Sequence, residues 1–109
     1  MPIVTVLIPG PAPELRTEPA AVFAEAADVG VDLVTVNVVS GSAQSGNAYR
    51  AVVEVVVPDL WTAEERRGFL DAVGEMLEHC WGIERADAIA WVRTIPSGSV
   101  VDRGKLGEW

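Results

Sequence analysis

The feature that most limits what this chain can become is a short aliphatic run that it carries twice. Val4-Thr5-Val6-Leu7-Ile8-Pro9-Gly10 lies without a gap over Val53-Glu54-Val55-Val56-Val57-Pro58-Asp59. β-Branched residues suit a strand, and the closing proline ends one because it lacks the N–H that a sheet needs. Each run is followed by a helical stretch and a further aliphatic run, Leu33 to Val39 in the first half and Ile89 to Ile95 in the second. A strand, a helix and a second strand make a parallel crossover, which is right-handed in nearly all proteins. Two such units in tandem predict an α/β (α+β) fold: a four-stranded sheet with both helices on one face. The expected organisation is one domain over 1–109, with repeats at 1–40 and 49–96 and a C-terminal tail at 97–109.

The helices carry their own signals. In the first half Thr17 is placed to cap a helix over Ala20 to Asp28, with Glu18 and Pro19 in its first turn and Gly30 at its end. In the second half Thr62 and Glu65 have the spacing of a capping box. Phe69, Leu70, Val73, Met76, Leu77 and Cys80 then recur at spacings of three and four, which puts them on one apolar face, and Gly82 stops the helix. Ser40 to Asn47 has no periodicity and predicts a flexible connection.

Half of the 109 residues are hydrophobic, and the mean hydropathy is +0.27. Two helices cover only one face of the sheet, and strands this apolar cannot show the other face to water. A closed ring of subunits, sheets inward and helices outward, would bury it. Sixteen acidic against eight basic side chains give a net charge of −8, which argues against nucleic acid or an anionic membrane as partner. No apolar run approaches the roughly 18 residues of a membrane span, and the first residues lack the pattern of a signal peptide. The expected location is cytoplasmic. With Cys80 the only cysteine, neither an internal disulfide nor a zinc cage is expected. His79 and Cys80 are adjacent on a helix and do not share a face, so they make a poor catalytic pair.

Pro2 is the residue with the most chemistry to offer. If Met1 is removed, the Pro2 nitrogen changes from an amide into a secondary amine. Such a group titrates at about 7.7 to 8 when unperturbed; burial beside an apolar strand lowers that value and makes a general base near neutral pH. Within the chain, Pro2 is simply a residue tolerated at the start of a strand. A small anionic ligand would also need cations, available from Arg16, Arg50, Arg93, Arg103 and Lys105.

A penultimate proline on an aliphatic strand, the tandem repeat, and the tail Ile95-Pro96-Ser97-Gly98-Ser99-Val100-Val101-Asp102-Arg103-Gly104-Lys105-Leu106 together resemble the tautomerase superfamily. The chain is most similar to its fused, trimeric members: the macrophage migration inhibitory factor type, the cis-3-chloroacrylic acid dehalogenase type and malonate semialdehyde decarboxylase. The resemblance covers nearly the whole chain. It implies a cofactor-independent tautomerase or isomerase, a homotrimer, that moves protons through Pro2 on a small 2-oxo, enol or unsaturated carboxylic acid. Asp102 falls where the dehalogenase-like tail, of the form Val-Glu-x-Gly-Arg, has its water-activating glutamate, and Lys105 falls on that pattern's basic position. Trp91 lines up with an aromatic residue of the same group.

The departures shape the expectation too. Asn37 stands where short tautomerases carry a substrate-binding arginine, and Pro58-Asp59-Leu60-Trp61 stands where the dehalogenase group has two. The first-helix histidine is missing, since the only histidine is His79. Substrate binding is therefore expected from Arg16, Asn37, Arg50, Trp91, Arg93 and Lys105, and catalysis from Pro2 and Asp102, with no metal. The alternative is a protein of the same fold without Pro2 chemistry, either a structural or ligand-binding subunit or a carboxylate-based biosynthetic enzyme.

Overall fold

The two repeats pair through their first strands. A computed structural model describing residues 1–109 places β1 (Ile3–Pro9), β2 (Thr35–Ser42), β3 (Ala51–Pro58) and β4 (Ala88–Ile95) in one mixed sheet of order β2-β1-β3-β4. β1 runs parallel to β2, and β3 parallel to β4. At the centre β1 and β3 are antiparallel, from Ile3 opposite Val56 to Leu7 opposite Val52. Each crossover carries a helix, α1 (Pro19–Ala27) and α2 (Ala63–Trp81).

Burial alternates along both central strands. Val4, Val6 and Ile8 of β1 and Ala51, Val53, Val55 and Val57 of β3 pack with Phe23 of α1 and with Phe69, Ala72, Val73, Met76, Leu77, Cys80 and Trp81 of α2. Val4 matches Val53, Val6 matches Val55 and Ile8 matches Val57, so the sequence repeat is also a repeat in burial phase. The intervening residues Ile3, Thr5, Leu7, Val52, Glu54 and Val56 face the other way. Register adds Thr35, Asn37 and Val39 from β2 and Ile89, Trp91 and Arg93 from β4 to that open face. In the single chain the strands are thus covered on one face only, and Ile3, Val39, Ile89 and Trp91 are exposed.

The second helix begins and ends as its sequence predicts. Thr62 Oγ1 accepts from the Glu65 N–H at 3.1 Å, and Glu65 Oε1 accepts from the Thr62 N–H at 3.1 Å. At the far end Gly82 adopts φ 65° and donates its N–H to the Glu78 carbonyl at 3.1 Å, the bond of an αL cap, and Ile83 N–H returns to the Leu77 carbonyl at 3.1 Å. The first helix differs at both ends. Its N-cap is Glu18 without a side-chain cap, because Pro19 at the first turn sets the helical φ by itself; Thr17 lies outside. Asp28, in the left-handed region at φ 56°, ends it before Gly30 is reached.

Val31–Leu33 forms a 3-10 turn, so β2 starts at Thr35 and not at Leu33. β2 also runs on through Ser42, taking three residues from the predicted flexible connection. Gly10 N–H donates to the Ser42 carbonyl at 3.0 Å and Gly41 N–H to the Gly10 carbonyl at 2.7 Å, which straps the end of β1 to β2. Both glycines have positive φ.

The tail folds into structure that its sequence did not announce. β5 (Val100–Asp102) and β6 (Lys105–Gly107) form a hairpin. Its two-residue loop, Arg103 and Gly104, has positive φ at both positions, as a type I′ turn requires. The tail is fastened to the body by Trp109, whose indole N–H donates to Asp59 Oδ1 at 2.8 Å and whose backbone N–H donates to Ser97 Oγ at 2.9 Å. No helix of the chain is long and apolar enough to cross a membrane.

Candidate active site at the start of the central strand

Pro2 immediately precedes β1 and keeps its alternation, so its ring is fully buried on the helix side with Val4. Its carbonyl accepts the Thr35 N–H at 3.1 Å, which pins the chain start to the first residue of β2. Because β3 is antiparallel to β1 and β4 is parallel to β3, this is also the end of the sheet at which β3 and β4 finish. Arg93 sits opposite Val56, which sits opposite Ile3. The hairpin tail leaves β4 from the same end.

On the open face three side chains form a connected group. Glu54 Oε2 accepts from the Trp91 indole N–H at 2.8 Å and from Arg93 Nη2 at 2.8 Å. The Arg93 side chain is 65% exposed and that of Glu54 25%, so the guanidinium is anchored at one corner and open elsewhere. Register puts Asn37, Thr5, Glu54 and Trp91 in one row across the four strands. Asn37 and Glu54 are two strand spacings apart, roughly 10 Å. Trp91, Arg93 and Asn37 therefore share a face, and Glu54 is the partner that sequence reasoning missed. The signal was present: it is the one charged residue in the run Ala51–Pro58.

Two of the expected cations are elsewhere. Arg16 donates its backbone N–H to the Cys80 carbonyl at 2.8 Å, and its guanidinium lies over Gly82, where an added Cβ would stand 2.7 Å from Nη2. A cation there complements the carbonyl end of α2. Arg50 immediately precedes β3 and donates its backbone N–H to the Asp87 carbonyl at 2.8 Å. Both occupy the end where β1 finishes, separated from Pro2 by the length of a seven-residue strand, roughly 23 Å. Asp102 and Lys105 are exposed cross-strand neighbours flanking the hairpin turn.

The remaining reactive side chains point to no second centre. Cys80 is buried, and burial first, then the Glu18 carboxylate, pushes its thiol up from its ordinary value, which keeps it protonated and a poor nucleophile. His79 is hydrogen-bonded to Glu75 at 3.0 Å. His79 and Glu75 line a groove of about 550 Å³ between α1 and α2 that is remote from the open sheet face. No three His, Cys, Asp or Glu side chains converge in a way that could hold a metal. The open-face group lies on a surface and not in a closed pocket, so only an assembly could enclose it.

No protein-family profile and no curated protein sequence matches the chain. Solved structures do. The Q0 fused 4-OT, a symmetric trimer, is similar with a TM-score of 0.77 at 15% identity, over 97% of this chain and 95% of that one. The macrophage migration inhibitory factor from Trichinella spiralis gives a TM-score of 0.76 at 13% identity, over 96% and 99%. Pt0534, in a crystal structure of the protein inactivated by 2-oxo-3-pentynoate, gives 0.72 at 14% identity, over 97% and 96%. At these identities the likeness is one of fold.

Proposed function

Because this chain has the tautomerase fold, we propose that it is a cofactor-independent isomerase-type enzyme, a homotrimer, that moves a proton through Pro2 on a small 2-oxo, enol or unsaturated carboxylic acid. The observation that carries the reading is the placement of Pro2. It heads the central strand with its ring fully buried and its carbonyl held by Thr35, so a free nitrogen there would be fixed in space. Poor solvation of the ring disfavours the charged amine and favours the neutral base.

The steps follow from that position. Arg93 would hold the substrate carboxylate, with Trp91 forming a dry wall beside it. The Pro2 nitrogen would take a proton from the carbon next to the carbonyl, leaving an enolate, and return it at the enolate oxygen or, where a conjugated double bond is present, at that bond's far carbon. Asn37 is the donor suited to the enolate oxygen as its charge develops, and Asp102 the carboxylate suited to orienting water when the substrate is an unsaturated acid. Pro2 lies on the helix side and Arg93 on the open face, both at the end of the sheet where β3 and β4 finish, so a substrate would reach from one to the other around that end; a closed ring, in which one subunit's open face meets the next, would bury Ile3, Leu7, Val52 and Ile89.

Intact mass of protein expressed from its own start codon, together with an enol-ketonisation assay, tests the reading. The expected mass is short by one methionine, and Pro2→Ala should lower turnover by on the order of 10²-fold or more. Unchanged turnover in Pro2→Ala, or a mass that retains Met1 in active protein, refutes it. One observation favours the second reading, a ligand-binding subunit without Pro2 chemistry: Arg16 and Arg50 lie at the far end of the sheet, and Arg93 is already paired. That reading expects carboxylic acids to raise the melting temperature of wild type and Pro2→Ala alike, with no turnover in either.

A further inference from the structure

We infer that Glu54 is a specificity-determining residue, which restricts the Arg93 site to ligands carrying a single carboxylate. The inference rests on the reading above that Arg93 faces the substrate carboxylate. It is carried by the way the three side chains share one oxygen. Trp91 Nε1 and Arg93 Nη2 both donate to Oε2 at 2.8 Å, and Oε1 accepts no hydrogen bond within the chain. An ionised carboxylate oxygen can only accept. The group therefore presents a guanidinium whose charge is matched by Glu54, with an acceptor-only oxygen beside it.

Within the chain, the neighbouring rows add no second cation. In the same row stand Asn37 and Thr5, and in the next row toward Pro2 stand Thr35, Ile3 and Val56, all uncharged. A ligand with one carboxylate can take the free donors of Arg93 and turn its neutral end to the row. A second carboxylate on the same small ligand would have to lie within a few ångströms of Glu54 with nothing to compensate it. At such separations, with a dielectric between that of water and that of a protein surface, removing the Glu54 charge should change the preference by about tenfold.

Calorimetric titration of 2-oxobutanoate, with one carboxylate, and 2-oxoglutarate, with two, at low ionic strength reads this directly. Wild type should prefer the monocarboxylate. Glu54→Gln keeps the size of the side chain and an oxygen for the indole N–H, and should shift the ratio of the two affinities toward the dicarboxylate by about tenfold. Trp91→Phe breaks a hydrogen bond to Oε2 without altering charge and should leave the ratio unchanged. An unchanged ratio in Glu54→Gln, a wild type that already prefers the dicarboxylate, or an equal shift in Trp91→Phe overturns the inference. Arg93→Ala separates the two levels. If it weakens both acids while Glu54→Gln leaves the ratio fixed, only the specificity role fails. If it weakens neither, or if wild type binds neither acid, the carboxylate-binding reading fails with it.

Discussion

Phe23→Ala should remove about a fifth or more of the protein's stability, and the reason lies in the composition of α1. The nine residues Pro19–Ala27 bury only Pro19, Phe23 and Ala24. Phe23 is the one large side chain among them and has no exposed surface. Its ring stacks on Phe69 of α2 with centroids 6.3 Å apart and planes 12° apart. Truncating a buried Phe to Ala costs about 3 to 5 kcal/mol, the sum of lost transfer energy and the cavity left behind. A domain of this size has about 5 to 15 kcal/mol in total. At about 4 to 8 °C per kcal/mol, the melting temperature should fall by roughly 12 to 40 °C. Urea denaturation at fixed protomer concentration gives the free energy, since oligomerisation otherwise moves the midpoint. Phe23→Leu, which fills much of the space, should cost far less, about 1 to 1.5 kcal/mol. A double-mutant cycle with Phe69→Leu should show coupling of about 0.5 to 1.5 kcal/mol. A loss in Phe23→Ala below about 1.5 kcal/mol, or equal losses in the Ala and Leu variants, would refute the claim that this ring docks α1; the typical core values do not allow such results.

Thr62→Ala deletes the hydroxyl half of the capping box and should lower stability by about 1 kcal/mol with an unchanged denaturant slope. Glu78 is held below its ordinary carboxylate value of 4.5, first by its side-chain hydrogen bond with Arg85 and then by the Arg85 backbone N–H. Its folded pKa is depressed, so its contribution is full above the unfolded value and is lost as pH falls through the folded one. The stability difference between wild type and Glu78→Gln should therefore be constant at neutral pH and close below about pH 4.5, read from melting temperatures across the acid range. Val52→Asp puts a charge between Leu7 and Ile89 on the open face; light scattering should show a trimer in wild type and smaller species in the variant, and a trimer in both would defeat the ring.

What could be read from the sequence was whatever local chemistry decides. The capping box of α2 needs only Thr62 and Glu65, and both of its hydrogen bonds form. The strands β1 and β3 were legible because their aliphatic run occurs twice, but their burial phase was not, since residues this uniformly apolar do not show which alternate ones face the helices. α1 was harder: Thr17, Glu18 and Pro19 each have some claim on the helix start, and proline's fixed φ outweighed a hydroxyl. The hairpin escaped notice because its strands are three residues long and its turn puts a non-glycine residue, Arg103, at positive φ. The placement of the candidate site residues was not legible. Arg16 and Arg93 look alike as free cations, but one packs over Gly82 at the end of α2 and the other hydrogen-bonds Glu54 from across a strand pair. Only the pairing of β3 with β4 separates them.

The antiparallel join of β1 to β3 has a consequence for how the chain holds together. Each half carries one strand of the central pair and one ring of the Phe23–Phe69 stack, while the segment between the halves is exposed at Ser45 and Gly46 and contributes no strand pairing. The peptide bond there acts as a tether that raises the concentration of one half around the other. Supplied as two separate fragments, 1–45 and 46–109 retain every registered contact of the sheet and lose only that effective concentration, so their reassembly becomes a bimolecular reaction. The covalent fusion of the repeats is in this sense a matter of kinetics and dilution, and the sheet itself belongs to the pair.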